Sequence, residues 1–235
     1  MKNLTINILI LSSMIMGTPA IAGGGDDPLL TMVQVDQLEK RDTSSGYPLV
    51  WEIQGWAGYD LNKLTFKTKG ERVNDETESA ELQLLYSKAI APYWDLQAGI
   101  RHDFNPKPSQ NWAAIGIQGL APYFFETDVN LFVGESGQTN IRLATEYEVM
   151  LTQKLVLSPE AEINLFGKND RERGIGSGVS DIELGLRLRY EIRREFSPYI
   201  GINWERKLGQ TASYARDDGE VTNDTQLVMG IKGWF

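Results

Sequence analysis

Residues 179–192 read V-S-D-I-E-L-G-L-R-L-R-Y-E-I, and they carry the clearest strand pattern in the chain. Every second position from Ile182 to Ile192 is apolar or aromatic, and Glu, Gly or Arg stands between them. This period of two predicts a β-strand with one apolar and one polar face. Strands of soluble sheets are usually about 5–6 residues long, whereas strands that cross a membrane need about 9–11. The length of this segment therefore favours a membrane strand.

The same alternation recurs along the chain, for example from Thr139 to Leu151. Clusters of Pro, Gly, Asn and Asp divide the sequence into further segments of this kind. The pattern predicts an all-β fold, a transmembrane antiparallel up-and-down β-barrel with about twelve strands, since such barrels have an even number of strands. The expected strands lie near 30–39, 49–59, 63–70, 77–89, 93–104, 111–120, 123–134, 139–151, 154–167, 179–192, 196–208 and 224–235.

The expected connections alternate between short and long. Short connections face the periplasm in outer-membrane barrels and long ones face outward. The short set comprises 60–62, 90–92, 120–122, 152–153 and 193–195, and the longer set comprises 41–48, 105–110, 169–178 and 209–223. Both ends of the barrel domain are then expected on the periplasmic side.

The start of the chain predicts export. Lys2 precedes an apolar stretch from Leu4 to Met16, and Ala20-Ile21-Ala22 follows as a small-x-small cleavage site. We expect a signal peptide at 1–22, cleaved after Ala22, and a barrel domain at 23–235 that begins with a short periplasmic segment at 23–29. No later stretch is suited to a transmembrane helix, because the longest charge-free one, 108–125, is interrupted by Gly and Pro.

The formal net charge is −9 and cysteine is absent. An acidic surface repels phosphate backbones, which argues against a nucleic-acid partner, and it attracts cations. Without disulfides, an exported chain must be held by its own hydrogen bonds and buried contacts, which a closed barrel provides.

Aromatic residues accompany the short turns. Ala91-Pro92-Tyr93 recurs as Ala121-Pro122-Tyr123 and more weakly as Ser197-Pro198-Tyr199. We expect an aromatic girdle at the lipid interface, and the alternative is that these are ordinary turn residues. The expected members of the girdle are Tyr93, Trp94, Tyr123, Phe124 and Tyr199. The last strand ends in Phe235, which resembles the assembly signal of outer-membrane barrels and implies the barrel assembly machinery and outer-membrane lipid as partners.

The polar parity of the strands predicts a charged lumen in which acids outnumber bases. Rings of carboxylates favour cations and can bind divalent metal transiently, although an ion-pair network filling a narrow barrel is an equally open alternative. The expected lumen acids are Glu52, Glu81, Asp95, Asp103, Glu126, Asp128, Glu146, Glu148, Glu160, Glu162, Asp181, Glu183, Glu191 and Glu205, and the expected bases are Arg101, Arg142, Arg187 and Arg189.

Long segments of the chain resemble the outer-membrane copper resistance protein B family. They are VQVDQLEKRD (33–42), YSKAIAPYWDLQAGIRHDF (86–104), GLAPYFFETDVNLFVGESG (119–137), GIGSGVSDIELGLRLRYEIRREFSPYIGINWERKLG (174–209) and GIKGWF (230–235). The resemblance implies an outer-membrane location in a Gram-negative bacterium and a role in binding, sequestering or exporting periplasmic copper. It also implies a periplasmic multicopper oxidase of the same system as partner. Copper would be a transient or substrate-like ion, and no organic cofactor is expected.

The sequence departs from that family in one respect. Members often carry a Met- and His-rich segment before the barrel. In this chain, residues 23–40 contain a single methionine, Met32, and no His. Capture of Cu(I) by thioethers is therefore poorly supported there. The candidate metal ligands are His102, Asp103 and Met150, although parity groups His102 with outward residues and favours a structural role.

Two other functions stay open. One is a general cation-preferring porin or a structural barrel. The other is an outer-membrane lipid hydrolase with Ser, His and Asn on the lipid face, but the same-face neighbour of His102 is Phe104 and not Ser, so a nucleophile is missing. We therefore expect a protein without enzymatic activity.

Overall fold

The structure is a computed structural model that describes residues 28–44 and 46–235. The expected signal peptide at 1–22 and residues 23–27 of the expected periplasmic segment lie outside the described residues.

One antiparallel sheet closes on itself to form the barrel. Its strands are β1 (Leu30–Asp42), β2 (Leu49–Gly58), β3 (Asn62–Val73), β4 (Glu76–Ala91), β5 (Trp94–Asn105), β6 (Gln110–Ala121), β7 (Phe125–Gly134), β8 (Thr139–Glu146), β9 (Val149–Met150), β10 (Leu155–Phe166), β11 (Gly178–Tyr190), β12 (Phe196–Lys207) and β13 (Asn223–Trp234). Each strand pairs with its neighbour, and β1 pairs with β13 to close the ring. Because β8 and β9 both pair with β10, they form one interrupted barrel strand, and the expected twelve strands are confirmed.

Exposure alternates along the strands as the sequence pattern predicts. On β11, Leu184 and Leu186 are 44% and 45% exposed, whereas Arg187 and Arg189 are 4% and 5% exposed. Leucine, isoleucine and tyrosine thus form the outer surface, and charged residues face inward. An apolar outer band around a polar interior is the arrangement that a barrel in lipid requires.

The two ends of the barrel differ. The turns after β2, β4, β6, β9 and β11 are short and lie at the same end as Leu30 and Trp234, which is the periplasmic end by the usual rule. At the opposite, outer end the connections 43–48, 167–177 and 208–222 are longer, whereas 106–109 and 135–138 are short and Asn74–Asp75 forms a tight hairpin. These two residues have φ values of 47° and 70°, and positive φ at both central positions matches the twist of a two-residue hairpin.

Two local features differ from the expectations. The connection 209–223 was expected to be a loop, but it contains the helix α1 (Gly209–Asp217) with Ala212 and Ala215 buried. The expected strand 139–151 is broken at Tyr147 and Glu148. Within the described ranges, no helix is long and apolar enough to cross a bilayer.

A β-bulge in β1 changes which side chains enter the lumen. Val35 pairs with Ile53 and Gln37 with the adjacent Glu52, so Asp36 is an extra residue in β1. A bulge of this kind redirects side chains. Asp36 accepts a hydrogen bond from Gln54 at 2.9 Å, and Gln37 donates to Glu160 at 3.1 Å across the lumen. Two consecutive side chains therefore face the interior.

Candidate functional site in the barrel lumen

The inward face of the wall carries the acids and bases that parity predicts. Eight of the fourteen expected acids line one cavity. Outside it, Asp95, Asp103 and Glu148 form ion pairs with Lys63, Arg101 and Arg189, and Asp181 accepts a hydrogen bond from Asn164. The cavity-lining members of the expected set are Glu52, Glu81, Glu126, Asp128, Glu146, Glu160, Glu162, Glu183, Arg142, Arg187 and Arg189.

This cavity, the periplasmic cavity, has a volume of about 410 Å³ and reaches from the short-turn end to the middle of the barrel. Tyr93 and Leu120 lie at its periplasmic end, and Glu81 and Glu183 lie at mid-barrel. Nine acidic and six basic side chains line it. The cavity is therefore polar and has an excess of negative charge.

Several lumen cations were not recognised in the sequence. Lys67, Lys69 and Lys232 line the periplasmic cavity, Lys63 pairs with Asp95, and Arg41 is 6% exposed. The parity rule could have located the three lysines of β3, because Lys63, Lys67 and Lys69 alternate with Leu64, Phe66 and Thr68. The excess of acid in the lumen is consequently smaller than expected.

Ion pairs connect opposite walls of the barrel. Lys69 of β3 reaches Glu162 of β10 at 2.7 Å, and Lys67 reaches Asp128 of β7 at 2.6 Å. Arg142 forks onto Glu81 with nitrogen–oxygen distances of 2.7 and 2.9 Å. Such bidentate pairs fix both side chains in direction. The ion-pair network that the sequence left as an alternative is thus present, but a cavity lies between its members.

Near the closure of the barrel lies a second set of contacts, the seam network, centred on Glu39. This carboxylate is 1% exposed and accepts hydrogen bonds from Arg41 at 2.8 Å, Arg187 at 2.8 and 2.9 Å, and Tyr199 at 2.9 Å. Buried charges are tolerated when they are paired and hydrogen-bonded. The network ties β1 to β11 and β12.

The inclusion of Tyr199 in the aromatic girdle was wrong. Tyr199 is 4% exposed and its hydroxyl binds Glu39 inside the lumen. The physical reason is strand parity, because Ile200 and Ile202 are 58% and 49% exposed on the outside, which turns Tyr199 inward. The remaining proposed members of the girdle lie at the short-turn end, with Tyr93, Tyr123 and Phe124 exposed and Trp94 partly buried.

Three cavity acids differ from the others in their partners. Asp36 receives hydrogen bonds from the amides of Gln34 and Gln54. Within the described part of the chain, Asp36, Glu52 and Glu126 form no ion pair. These three, the unpaired acids, can accept an added cation without displacing a lysine or arginine.

Like charges also face each other directly across strands. Glu126 pairs in register with Glu146, and Glu146 with Glu160, on three consecutive strands. Lys232 offsets part of this repulsion, since its Nζ lies 3.0 Å from both oxygens of Glu146. Directly opposed like charges destabilise a sheet. A cation bound beside these three carboxylates would therefore reduce their repulsion.

The outer half of the lumen is packed differently. Leu85, Trp112, Ala114 and Phe132 form a buried group with Phe166 against it, the outer apolar cluster. Arg101 stacks over Phe132 with its guanidinium carbon 4.6 Å from the ring centroid. Apolar side chains therefore pack together in this part of the lumen.

The three candidate metal ligands are not brought together. Asp103 faces the interior and is 1% exposed, whereas His102 lies on the outward side between Arg101 and Asp103. Met150 is 67% exposed near the periplasmic end. In the described ranges, no group of three or more His, Cys, Asp or Glu residues is arranged to hold a metal ion.

His102 has local partners on the outer surface. Its Nδ1 lies 2.6 Å from Oδ1 of Asn111, and Asn111 donates to Glu135 at 3.2 Å. The ring packs edge-on against Phe104 with the centroids 4.5 Å apart. Phe104 occupies the place beside the imidazole where a hydrolase would need a hydroxyl nucleophile.

Comparison with known proteins identifies a family and a fold. The family model for copper resistance protein B precursor matches residues 29–235. A copper resistance protein B homolog of Pseudomonas syringae pv. tomato is 44% identical over 210 residues, which cover 89% of this chain and 71% of that protein. Copper resistance protein B of Escherichia coli matches with the same identity and coverage.

Solved porins share the barrel architecture. The NanC porin superposes with a TM-score of 0.56 at 10% identity, covering 86% of this chain and 98% of the porin. The KdgM porin gives a TM-score of 0.50 at 10% identity, covering 88% of this chain and 99% of the porin. At this identity the likeness concerns the fold alone. A closed barrel of this kind, in a chain that matches this family, is located in the outer membrane of a Gram-negative bacterium.

Proposed function

The chain belongs to the copper resistance protein B family, and we propose that it contributes to copper resistance by holding periplasmic copper ions in the periplasmic cavity of the barrel. The observation that carries this proposal is the charge of the cavity, which nine acidic and six basic side chains line. A cavity with excess carboxylate concentrates cations from the solution at its mouth.

The oxygen-rich lining favours Cu(II) over Cu(I). Carboxylate oxygens are hard ligands, while Cu(I) prefers thiolates and thioethers. Asp36, Glu52 and Glu126 present carboxylates that form no ion pair among the described residues, which include no Cys. In this proposal copper is the cargo, and an organic cofactor is not required.

Binding of this kind is transient. Among the described residues no preformed metal-ligand group exists, so a copper ion gains ligands only from carboxylates that stand apart or are shared with Lys232. Weak multi-site binding lets an ion enter and leave again. The barrel then acts as a reservoir in equilibrium with the periplasm.

The position of the cavity favours sequestration over export. Its mouth is at the short-turn end, and the outer apolar cluster fills the opposite half. We propose a periplasmic multicopper oxidase of the same resistance system as the protein that exchanges copper with this reservoir. The alternative is export of copper to the outside, which would require a path through the packed outer half of the lumen.

Copper titration of the refolded barrel tests the proposal. The triple variant D36N/E52Q/E126Q removes the unpaired acids without stranding a lysine or arginine, and isothermal titration with CuCl₂ should show binding weakened by about tenfold, or ~1.4 kcal/mol. The matched control is D75N/E76Q/E78Q, which removes three exposed acids at the outer hairpin. Equal binding by wild type and the cavity variant would contradict the proposal.

A cell experiment separates this function from a general cation-preferring porin or a structural barrel. Deletion of the protein should sensitise cells to copper and leave the uptake of small cationic solutes unchanged. The opposite pattern would favour the porin. A lipid hydrolase would instead lose activity on H102A, and no such activity is part of the proposal.

A further inference from the structure

The connection between β10 and β11 sends one side chain into the outer mouth of the barrel. Arg173 lies in this connection, and its side chain is only 3% exposed although the neighbouring Arg171 side chain is 54% exposed. A loop arginine that points into the lumen and not into water needs strong partners there.

A prepared receptor holds the Arg173 guanidinium. Its Nη2 lies 2.7 Å from Asp103, its Nη1 donates to Gln110, and the guanidinium carbon is 5.8 Å from the Trp112 ring. Asp103 is fixed from below by Arg101 at 2.6 Å and by the indole N–H of Trp112 at 2.9 Å. Asp103 is therefore held in place by partners outside the loop as well as by Arg173.

The same loop is joined to α1 on the other side of the mouth. Oγ1 of Thr211 accepts a hydrogen bond from the backbone N–H of Gly176 at 2.8 Å and lies 3.0 Å from Oγ of Ser180 on the inner wall. Arg171 reaches Asp217 at the end of α1, at 3.0 Å. The loop and the helix thus form one cap over the outer apolar cluster.

We infer that Arg173 is a latch that closes the outer mouth of the barrel to ions, so that the lumen is filled and emptied from the periplasm alone while the latch is engaged. Passage to the outside requires the guanidinium to leave Asp103 and Gln110. The cationic head at the mouth also repels a cation that approaches from the cavity. The inference goes beyond copper binding, since the latch acts on any ion.

The latch is poised for release because its contacts are incomplete. Among the described residues, Nε of Arg173 is buried without a hydrogen-bond partner. A buried donor left unsatisfied disfavours the state that buries it. Withdrawal of the loop would return this N–H to water, which offsets part of the loss of the contacts to Asp103 and Gln110.

Conductance of the purified barrel in planar lipid bilayers bathed in KCl tests the latch. Wild type should be closed or pass small currents, and R173A should raise the mean conductance severalfold. E172A is the control, because Glu172 is an exposed residue of the same loop and, among the described residues, forms no hydrogen bond or ion pair with Asp103, Gln110 or α1. It should behave as wild type.

D103N provides a second route to the same state, since it removes the charge of the receptor and leaves the loop intact. Before measurement, a heat-modifiable band on an unheated gel shows that each variant is folded. Wild-type currents already as large as those of R173A, or R173A and D103N both as closed as wild type, would overturn the latch. Copper titration of the same samples separates the proposals: open variants that never bind copper would leave the latch standing and refute the copper reservoir.

Discussion

The outer and periplasmic halves of the lumen are built on the same twelve strands but are filled in opposite ways. The outer half contains Trp112 and Phe132, which are 2% and 0% exposed, beneath a cap latched by Arg173. The periplasmic half contains a cavity of about 410 Å³ crossed by lysines and lined by acids. Because inward positions in both halves follow the same alternation apart from the bulge at Asp36, the side chains at these positions determine whether the lumen is packed or contains a cavity.

The comparison separates the half that stabilises the barrel from the half that contains the proposed copper site. Close packing in the outer half stabilises the barrel, whereas like charges facing each other in the periplasmic half reduce its stability and create affinity for cations. The proposed site thus lies where repulsion between side chains makes the barrel locally less stable than uncharged packing would. Variants that act on one half should therefore leave the properties of the other unchanged.

The largest effect is expected in the outer half. W112A deletes a side chain that packs in the outer apolar cluster and binds Asp103 through its indole N–H. The cavity that it leaves should lower the free energy of unfolding by about 3–5 kcal/mol. Urea titration in detergent micelles, followed by far-ultraviolet circular dichroism, measures the loss. The control is F104A, which removes an outward ring that is 46% exposed. If W112A lowered the free energy of unfolding no more than F104A does, the packed outer half would not be the stabilising part of the lumen.

A smaller effect is expected for a cation of the periplasmic half. K232Q leaves the Glu146 carboxylate without its ammonium partner at 3.0 Å, which should lower the free energy of unfolding by about 1–3 kcal/mol. Added Cu²⁺ should restore part of this loss, because an ion that binds only the folded barrel stabilises it. Thermal melts with and without CuCl₂ provide the measurement.

K63Q is the matched lysine control for K232Q. Lys63 pairs with Asp95 at 3.4 Å, and it does not line the periplasmic cavity. Copper should therefore fail to rescue K63Q. Equal rescue of both variants would show that copper acts outside the cavity.

The smallest effect carries the opposite sign. E126Q removes one of the two carboxylates in a directly opposed pair with Glu146 and should raise the free energy of unfolding by about 0.2–1 kcal/mol. The gain should shrink in concentrated NaCl, since salt screens the repulsion. Urea titrations at low and high NaCl, with the exposed-residue variant E76Q as control, test it. Destabilisation by E126Q would mean that Glu126 has a stabilising partner in the lumen.

Much of the fold follows from local pattern. Alternation and turn residues located the strands, because a side-chain period of two is a property of each strand by itself. The same rule would have turned Tyr199 inward and exposed the lysines of β3 as lumen residues. Tyr199 stands in a Ser-Pro-Tyr motif that is similar to the two Ala-Pro-Tyr turns, but strand parity and not this local motif determines the direction of its side chain.

Other features depend on contacts that no local pattern contains. Arg173 belongs to a polar loop, and only the receptor of Asp103 and Gln110, far away in sequence, explains its burial. The helix in 209–223 belongs to the same cap, since Thr211 binds the backbone N–H of Gly176. The bulge at Asp36 shifts parity within β1, so counting every second residue fails there.

Closure of the barrel joins the first strand to the last, and this has a consequence for biogenesis. Before β13 pairs with it, β1 has an unpaired edge. Glu39 also lacks Arg187 and Tyr199 at that stage, because these residues are synthesised much later. An open edge invites pairing with other chains, and charged side chains discourage it. The polar residues of β1 that later face the lumen, Asp36, Gln37, Glu39 and Arg41, are therefore suited to keep the early chain soluble during its passage through the periplasm.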